Sequence, residues 1–144
     1  MRFVLVPLLV AIAIAIAAVI ERRRRSDAPT QATWSVPTQL DRHDFERPNA
    51  PWLVVVFTSA DCQTCAGVAA KARVMDCAEV AVAEVELVEA RALHARYGID
   101  AVPTTVVADA AGVVRTSWLG PVTATDLWAG VAKVRNGETP DICD

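Results

Sequence analysis

The chain of 144 residues predicts an α/β sandwich, a central mixed β-sheet flanked by helices, after one N-terminal transmembrane helix. Three observations carry that expectation. Phe3 to Ile20 is an unbroken apolar run, long enough to cross a bilayer as a helix. Trp52-Leu53-Val54-Val55-Val56-Phe57 is a second run, bounded by Asn49-Ala50-Pro51 and Thr58-Ser59, and reads as a strand buried on both faces. Beyond it, helix-like and strand-like segments alternate as far as Gly137, the order expected of a sheet covered by helices.

The first run holds about eighteen residues without a charge, and its one proline, Pro7, lies near the start where a helix tolerates it. A cleaved secretory signal competes with a membrane anchor, and a soluble core helix is a third reading. Ala15-Ile16-Ala17 can serve as a cleavage site, yet only Arg2 precedes the run, while Arg22-Arg23-Arg24-Arg25 follow it. A signal has its basic residues first, so the anchor is preferred. Basic residues beside a span tend to stay cytoplasmic, which places the following domain in the cytoplasm. The same arginines can also serve simply to stop transfer or to touch anionic lipid. The expected organisation is an anchor over 1–21, a basic and polar linker over 22–38, a folded domain over 39–137 and a tail over 138–144.

Within the domain, the segment from Cys62 to about Cys77 is rich in alanine and free of proline, so it is expected to be helical. Val80 to Val88 alternates Val and Leu with Ala and Glu, a half-buried strand pattern. Glu89 to Tyr97 returns to helix and stops at Gly98, where a left-handed cap is expected. Thr104 to Ala108 is β-branched and strand-like, Ala110-Ala111-Gly112 makes a turn, and Val113 to Trp118 returns as a hairpin. Thr123-Ala124-Thr125-Asp126 has the form of a capping box for a last helix, with Leu127, Val131 and Val134 on one stripe.

Net charge is −3 with two histidines, and no basic stripe suggests nucleic acid. No Gly-rich dinucleotide loop is visible, so neither flavin nor nicotinamide is expected, and no second ligand pair accompanies Cys62 and Cys65 for zinc. What carries chemistry is Cys62-Gln63-Thr64-Cys65. Two cysteines one helical turn apart can close a disulfide. The first is placed where the amides of a new helix point outward, which favours its thiolate, and the thiolate is the attacking species in disulfide exchange. Of the other two cysteines, Cys77 reads as a small buried apolar residue, and Cys143 as a free thiol on the tail, with pairing to Cys77 or a role as an extra exchange thiol as alternatives. His94, between Arg91 and Arg96, reads as solvated, and the four tryptophans as core or core-edge packing.

Over roughly residues 34–136 the chain resembles the thioredoxin family. The resemblance is carried by the apolar strand ending Val56-Phe57, Cys62-x-x-Cys65 opening a helix, Tyr97-Gly98-Ile99, Val102-Pro103-Thr104, and the hairpin with Gly120 before the last helix. It implies that Cys62 is the exposed nucleophile and Cys65 the resolving thiol. It also implies a cis Pro103 against the disulfide, with Val102 and its neighbours Pro103 and Thr104 offering backbone to an extended substrate. No cofactor is implied. The partners implied are protein disulfides or thiols and an upstream thiol reductant, with the bilayer met through the N-terminal helix.

The departures are specific. Where thioredoxins usually carry Trp before the first cysteine, Gly-Pro between the pair and a basic residue after it, this chain has Asp61, Gln63-Thr64 and Ala66. Their buried acidic residue aligns with Val56, and its lysine partner with Glu84. A half-buried Glu84 would supply the proton acceptor lost at Val56 and take the proton of Cys65; the alternative is a Glu84 that faces solvent on an edge. The expected function is a membrane-tethered thiol–disulfide oxidoreductase using Cys62, Cys65 and Glu84. Two rivals remain. One is a thiol reductase of disulfide or cytochrome maturation on the extracytoplasmic side, and the other a redox-inactive binding module of the same fold.

Overall fold

The structure, a computed structural model, describes residues 34–137. Seven regular elements follow a 3-10 turn at Arg42–Asp44: β1 (Trp52–Thr58), α1 (Cys65–Arg73), β2 (Val80–Glu86), α2 (Arg91–Arg96), β3 (Thr104–Ala108), β4 (Val114–Leu119) and α3 (Ala124–Arg135). The four strands form one mixed sheet in the order β2-β1-β3-β4. β1 runs parallel to β2 and antiparallel to β3, and β3 is antiparallel to β4. The α/β class and the mixed sheet expected from the sequence are both present.

β1 is apolar along its whole length because it lies between two other strands and under helices on both faces. Leu53, Val55 and Phe57 pack with Leu40, Phe45, Tyr97 and Val106 on one face. Val54 and Val56 pack on the other with Val68, Ala69 and Ala72 of α1 and Leu127, Val131 and Val134 of α3. Each buried Val, Leu or Phe among them stabilises the fold by about 1.5–3 kcal/mol relative to exposure, so these two clusters fix the strand from which the cysteine loop departs.

Local chemistry sets the ends of the helices. Thr123 Oγ1 accepts the amide of Asp126 at 3.1 Å and donates to its carboxylate at 2.6 Å, the cap expected for α3. Gly98 ends α2 at φ +61°, and the amide of Ile99 returns to the His94 carbonyl at 2.9 Å, a left-handed cap as the sequence predicts. The hairpin turn is held by Asp109, whose Oδ1 accepts the amides of Ala111 and Val113 at 2.9 and 3.0 Å. Gly112 lies against the N-terminal segment so closely that a Cβ there would stand 2.1 Å from the Leu40 carbonyl oxygen.

Several expectations need correction. The helix after β1 does not begin at Cys62 or reach Cys77; α1 spans Cys65–Arg73. Val36, in the expected linker, packs against the core cluster that includes Leu40 and Tyr97. His94 is not solvated: it is 3 % exposed, its ring meets Phe57 edge-on at 5.3 Å, and its Nε2 lies 2.9 Å from the Val85 carbonyl oxygen. Its burial follows from its position, because Phe57 and Tyr97 enclose the same side of α2. Cys77 is exposed rather than buried, because it sits in the turn before β2, exchanging backbone bonds with Val80. Trp34 and Trp128 are exposed, whereas Trp52 and Trp118 pack partly against the α1 and α3 cluster. Arg42, which drew no notice in the sequence, is buried and donates to the carbonyls of Asp109 and Ala50 at 2.6 and 2.8 Å. Among the described residues, no helix is long and apolar enough to cross a membrane. The run Phe3 to Ile20, Arg22–Arg25 and Cys143 lie outside them.

Candidate active site

The loop from Ser59 to Thr64 leaves the buried end of β1 and enters α1. It turns twice: the Cys62 amide donates to Ser59 O at 3.0 Å, and the Cys65 amide donates to Cys62 O at 3.3 Å. These turns occupy the residues expected to start the helix, so α1 begins at Cys65 and Cys62 stands just before it. Cys62 and Cys65 form a disulfide with Cα atoms 5.4 Å apart. Cys62 is half-buried, while Cys65 is 2 % exposed beneath the first turn of α1. The pair is therefore asymmetric, with one cysteine half-buried and the other shielded.

Thr64 occupies the N-cap position of α1, yet its side chain caps no backbone amide. Its hydroxyl instead lies 3.7 Å from Cys62 Sγ. Thr64 thus faces the half-buried cysteine rather than the amides of the helix it precedes. In the sequence Thr64 stood out only as one of the two residues in place of the usual Gly-Pro. Its N-cap residue type one position before the helix was the signal available.

Glu84 lies on edge strand β2, in register with Val56. That row continues across the sheet through Thr105 and Trp118. Glu84 is exposed, and its carboxylate forms an ion pair with Arg73 of α1 and accepts the Thr58 hydroxyl at 3.3 Å. No hydrogen bond connects it to Cys65 among the described residues. The carboxylate, its side chain 32 % exposed, is thus engaged by Arg73 and Thr58 on the open edge of the sheet. Inside the same row Thr105 is fully buried, and its hydroxyl has no hydrogen-bond partner.

Val102, Pro103 and Thr104 lead into β3, and the Val102–Pro103 peptide is cis. Because Phe57 pairs with Thr104, this entry lies beside the exit of β1, at the same end of the sheet as the cysteine loop. The Pro103 carbonyl accepts the Gly120 amide at 2.8 Å, and the Thr104 hydroxyl donates to Ala101 O at 2.7 Å. Thr104 is thus buried with its hydroxyl already used, whereas no backbone hydrogen bond engages half-buried Val102 among the described residues. None of the three is hydrogen-bonded to either cysteine.

The sequence reading also missed Glu86. At the end of β2 it accepts three backbone amides, including that of Ala60 in the cysteine loop. Its signal was positional: parallel neighbours end on the same side of a sheet, so a polar residue closing β2 stands beside the loop that follows β1. No protein-family model matches the chain, and no curated protein matches it.

Proposed function

We propose that this chain is a thioredoxin-like thiol–disulfide oxidoreductase, tethered to a membrane through its N-terminal apolar run, that exchanges its Cys62–Cys65 dithiol with protein disulfides. The observation that carries the reading is the asymmetric pair, with Cys62 half-buried and Cys65 shielded where one strand hands over to one helix. Support also comes from the unengaged backbone of Val102 at the same end of the sheet. The resemblance noted in the sequence bears on the same residues.

In the reducing direction the Cys62 thiolate attacks one sulfur of a substrate disulfide, whose other sulfur leaves as a thiolate and takes a proton. Cys65 then loses its proton and attacks the Cys62 sulfur of the mixed disulfide. The substrate's second sulfur leaves as a thiol, and two electrons have passed from the dithiol to the substrate. The resulting Cys62–Cys65 disulfide is reduced again by an upstream thiol system. No resident cofactor takes part. A domain on the cytoplasmic side would work in this direction.

Replacing Cys65 with Ser blocks the second step and traps the substrate on Cys62. Capture of disulfide-linked partners by full-length Cys65→Ser, and their absence from a Cys62→Ser Cys65→Ser variant, is the expected result. Absence of any trapped partner would favour a binding module without redox activity. C-terminal reporter fusions decide the sidedness, and an extracytoplasmic readout would move the proposal to thiol reduction in disulfide or cytochrome maturation.

A further inference from the structure

We propose that Glu86 is a positioning residue that sets the redox poise of the Cys62–Cys65 couple by clamping the Cys62 loop to the turn after β2, an inference that rests on the oxidoreductase reading above. Glu86 is the last residue of β2 and lies in register with Thr58, the last residue of β1. Its Oε1 accepts the Ala60 amide at 3.0 Å, while Oε2 accepts the amides of Val88 and Glu89 at 2.6 and 3.0 Å. The backbone reinforces the clamp, since the Leu87 amide donates to Thr58 O at 2.9 Å. Ala60 stands two residues before Cys62, and the Cys62 amide is bonded to Ser59 O within the same turn. One carboxylate therefore ties the loop bearing the open sulfur to a rigid strand end.

The amide of Glu89, joined by those of Ala60 and Val88, holds the Glu86 carboxyl below its usual range. The clamp is therefore an ionised one near neutral pH.

The physical consequence concerns the reduced protein. Once the sulfur–sulfur bond opens, the chance of Cys62 meeting Cys65 depends on how many conformations the loop reaches. A clamped loop keeps the two sulfurs close and favours the disulfide. A released loop spreads the reduced ensemble and weakens the disulfide. Glu86 thus makes the couple more reducing than an untethered loop with the same cysteines.

The test is glutathione equilibration of the full chain in detergent, wild type against Glu86→Gln and Glu86→Ala. Two glutathione molecules reduce the disulfide, giving the Cys62–Cys65 dithiol and one glutathione disulfide. The oxidised fraction is read by alkylation and peptide mass, which separates this pair from Cys77 and Cys143. Gln offers one acceptor oxygen, so it can cap the turn or hold Ala60 but not both. We expect the disulfide-forming equilibrium constant to fall about tenfold in Glu86→Gln, a shift of about 30 mV towards oxidising. Glu86→Ala should shift at least as far. A residue that only caps the turn would lower the urea midpoint and leave the potential unmoved; that result, in Glu86→Gln that still unfolds cooperatively, overturns the proposal. Should wild type itself fail to equilibrate with glutathione, the oxidoreductase reading fails and takes this one with it. An exchanging wild type with an unshifted variant defeats the clamp alone.

Discussion

Opening the Cys62–Cys65 bond should cost the folded domain stability, and the amount follows from the size of the ring it closes. The sequence separation is 3, so the loop holds about four residues, and the chain-entropy relation assigns such a cross-link about 2 kcal/mol. Thr64 opposes this in the reduced protein by placing its hydroxyl near the Cys62 sulfur, but it is exposed, so water competes and its share is the smaller. The oxidised form is therefore expected to be the more stable by about 1–2 kcal/mol. For a domain of this size that is a melting-temperature gap of several degrees, at about 4–8 °C per kcal/mol. Through the thermodynamic cycle, about 2 kcal/mol places the native couple about 40 mV below the same cysteines in the unfolded chain. Urea unfolding of the oxidised and fully reduced protein, with Cys62→Ala Cys65→Ala as a reference, measures the gap directly. A reduced form more stable than the oxidised one would refute the reasoning and mark the pair as a disulfide donor.

Three further outcomes are expected. Thr64→Val should slow iodoacetamide alkylation of reduced Cys62 near neutral pH by several-fold, roughly the effect of losing one hydrogen bond to a thiolate in water; an unchanged rate would remove Thr64 from the site. Glu84→Gln is expected to leave the rate of Cys65-dependent substrate release unchanged and to cost at most about 1 kcal/mol, as exposed ion pairs do, because Arg73 already engages the carboxylate. A slowed release would restore Glu84 as the proton acceptor. Burial and the hydrogen bond to Asp44 push the Tyr97 hydroxyl up to about 12 from its ordinary 10.0. The folded protein then holds a proton that the unfolded chain releases, so stability is full below pH 10 and falls as pH rises towards 12, by at most about 2.7 kcal/mol in all and less where solvent screens the group. Tyr97 is the one tyrosine in the chain, so tyrosinate absorbance follows it alone, and Tyr97→Phe should abolish the alkaline phase.

The order of elements was legible because each carries its own punctuation. Proline and asparagine precede β1, Gly98 closes α2, Thr123 opens α3, and the apolar runs between them match the strands found. The cysteine pair was legible for the same reason, as a short motif at the junction of a strand and a helix. What escaped was decided by neighbours distant in sequence. His94 and Arg42 are polar residues drawn inside by the packing of α2 and the N-terminal segment, and nothing local distinguishes them from solvated ones. The start of α1 was missed because Cys62 to Thr64 favour turns bonded back to Ser59, where composition alone suggests helix. Glu84 was placed on the right strand, but whether that edge was covered depended on the sheet order. Glu86 became visible only once the ends of β1 and β2 were seen to coincide.

The contact of the N-terminal segment with the hairpin turn has a mechanical side. Leu40 bonds to Gly112, Val114 to Thr38, and the Gln39 side chain to Ala111, closing a short seam at 2.8–2.9 Å. That seam lies where β3 ends and β1 begins, at the far end of the sheet from the exit to Cys62. After Val36, this seam is the next attachment that the chain entering from residue 34 makes to the domain. The cysteine loop lies at the opposite end of the strands, so chain entering at residue 34 meets the domain without touching the turn that carries Cys62.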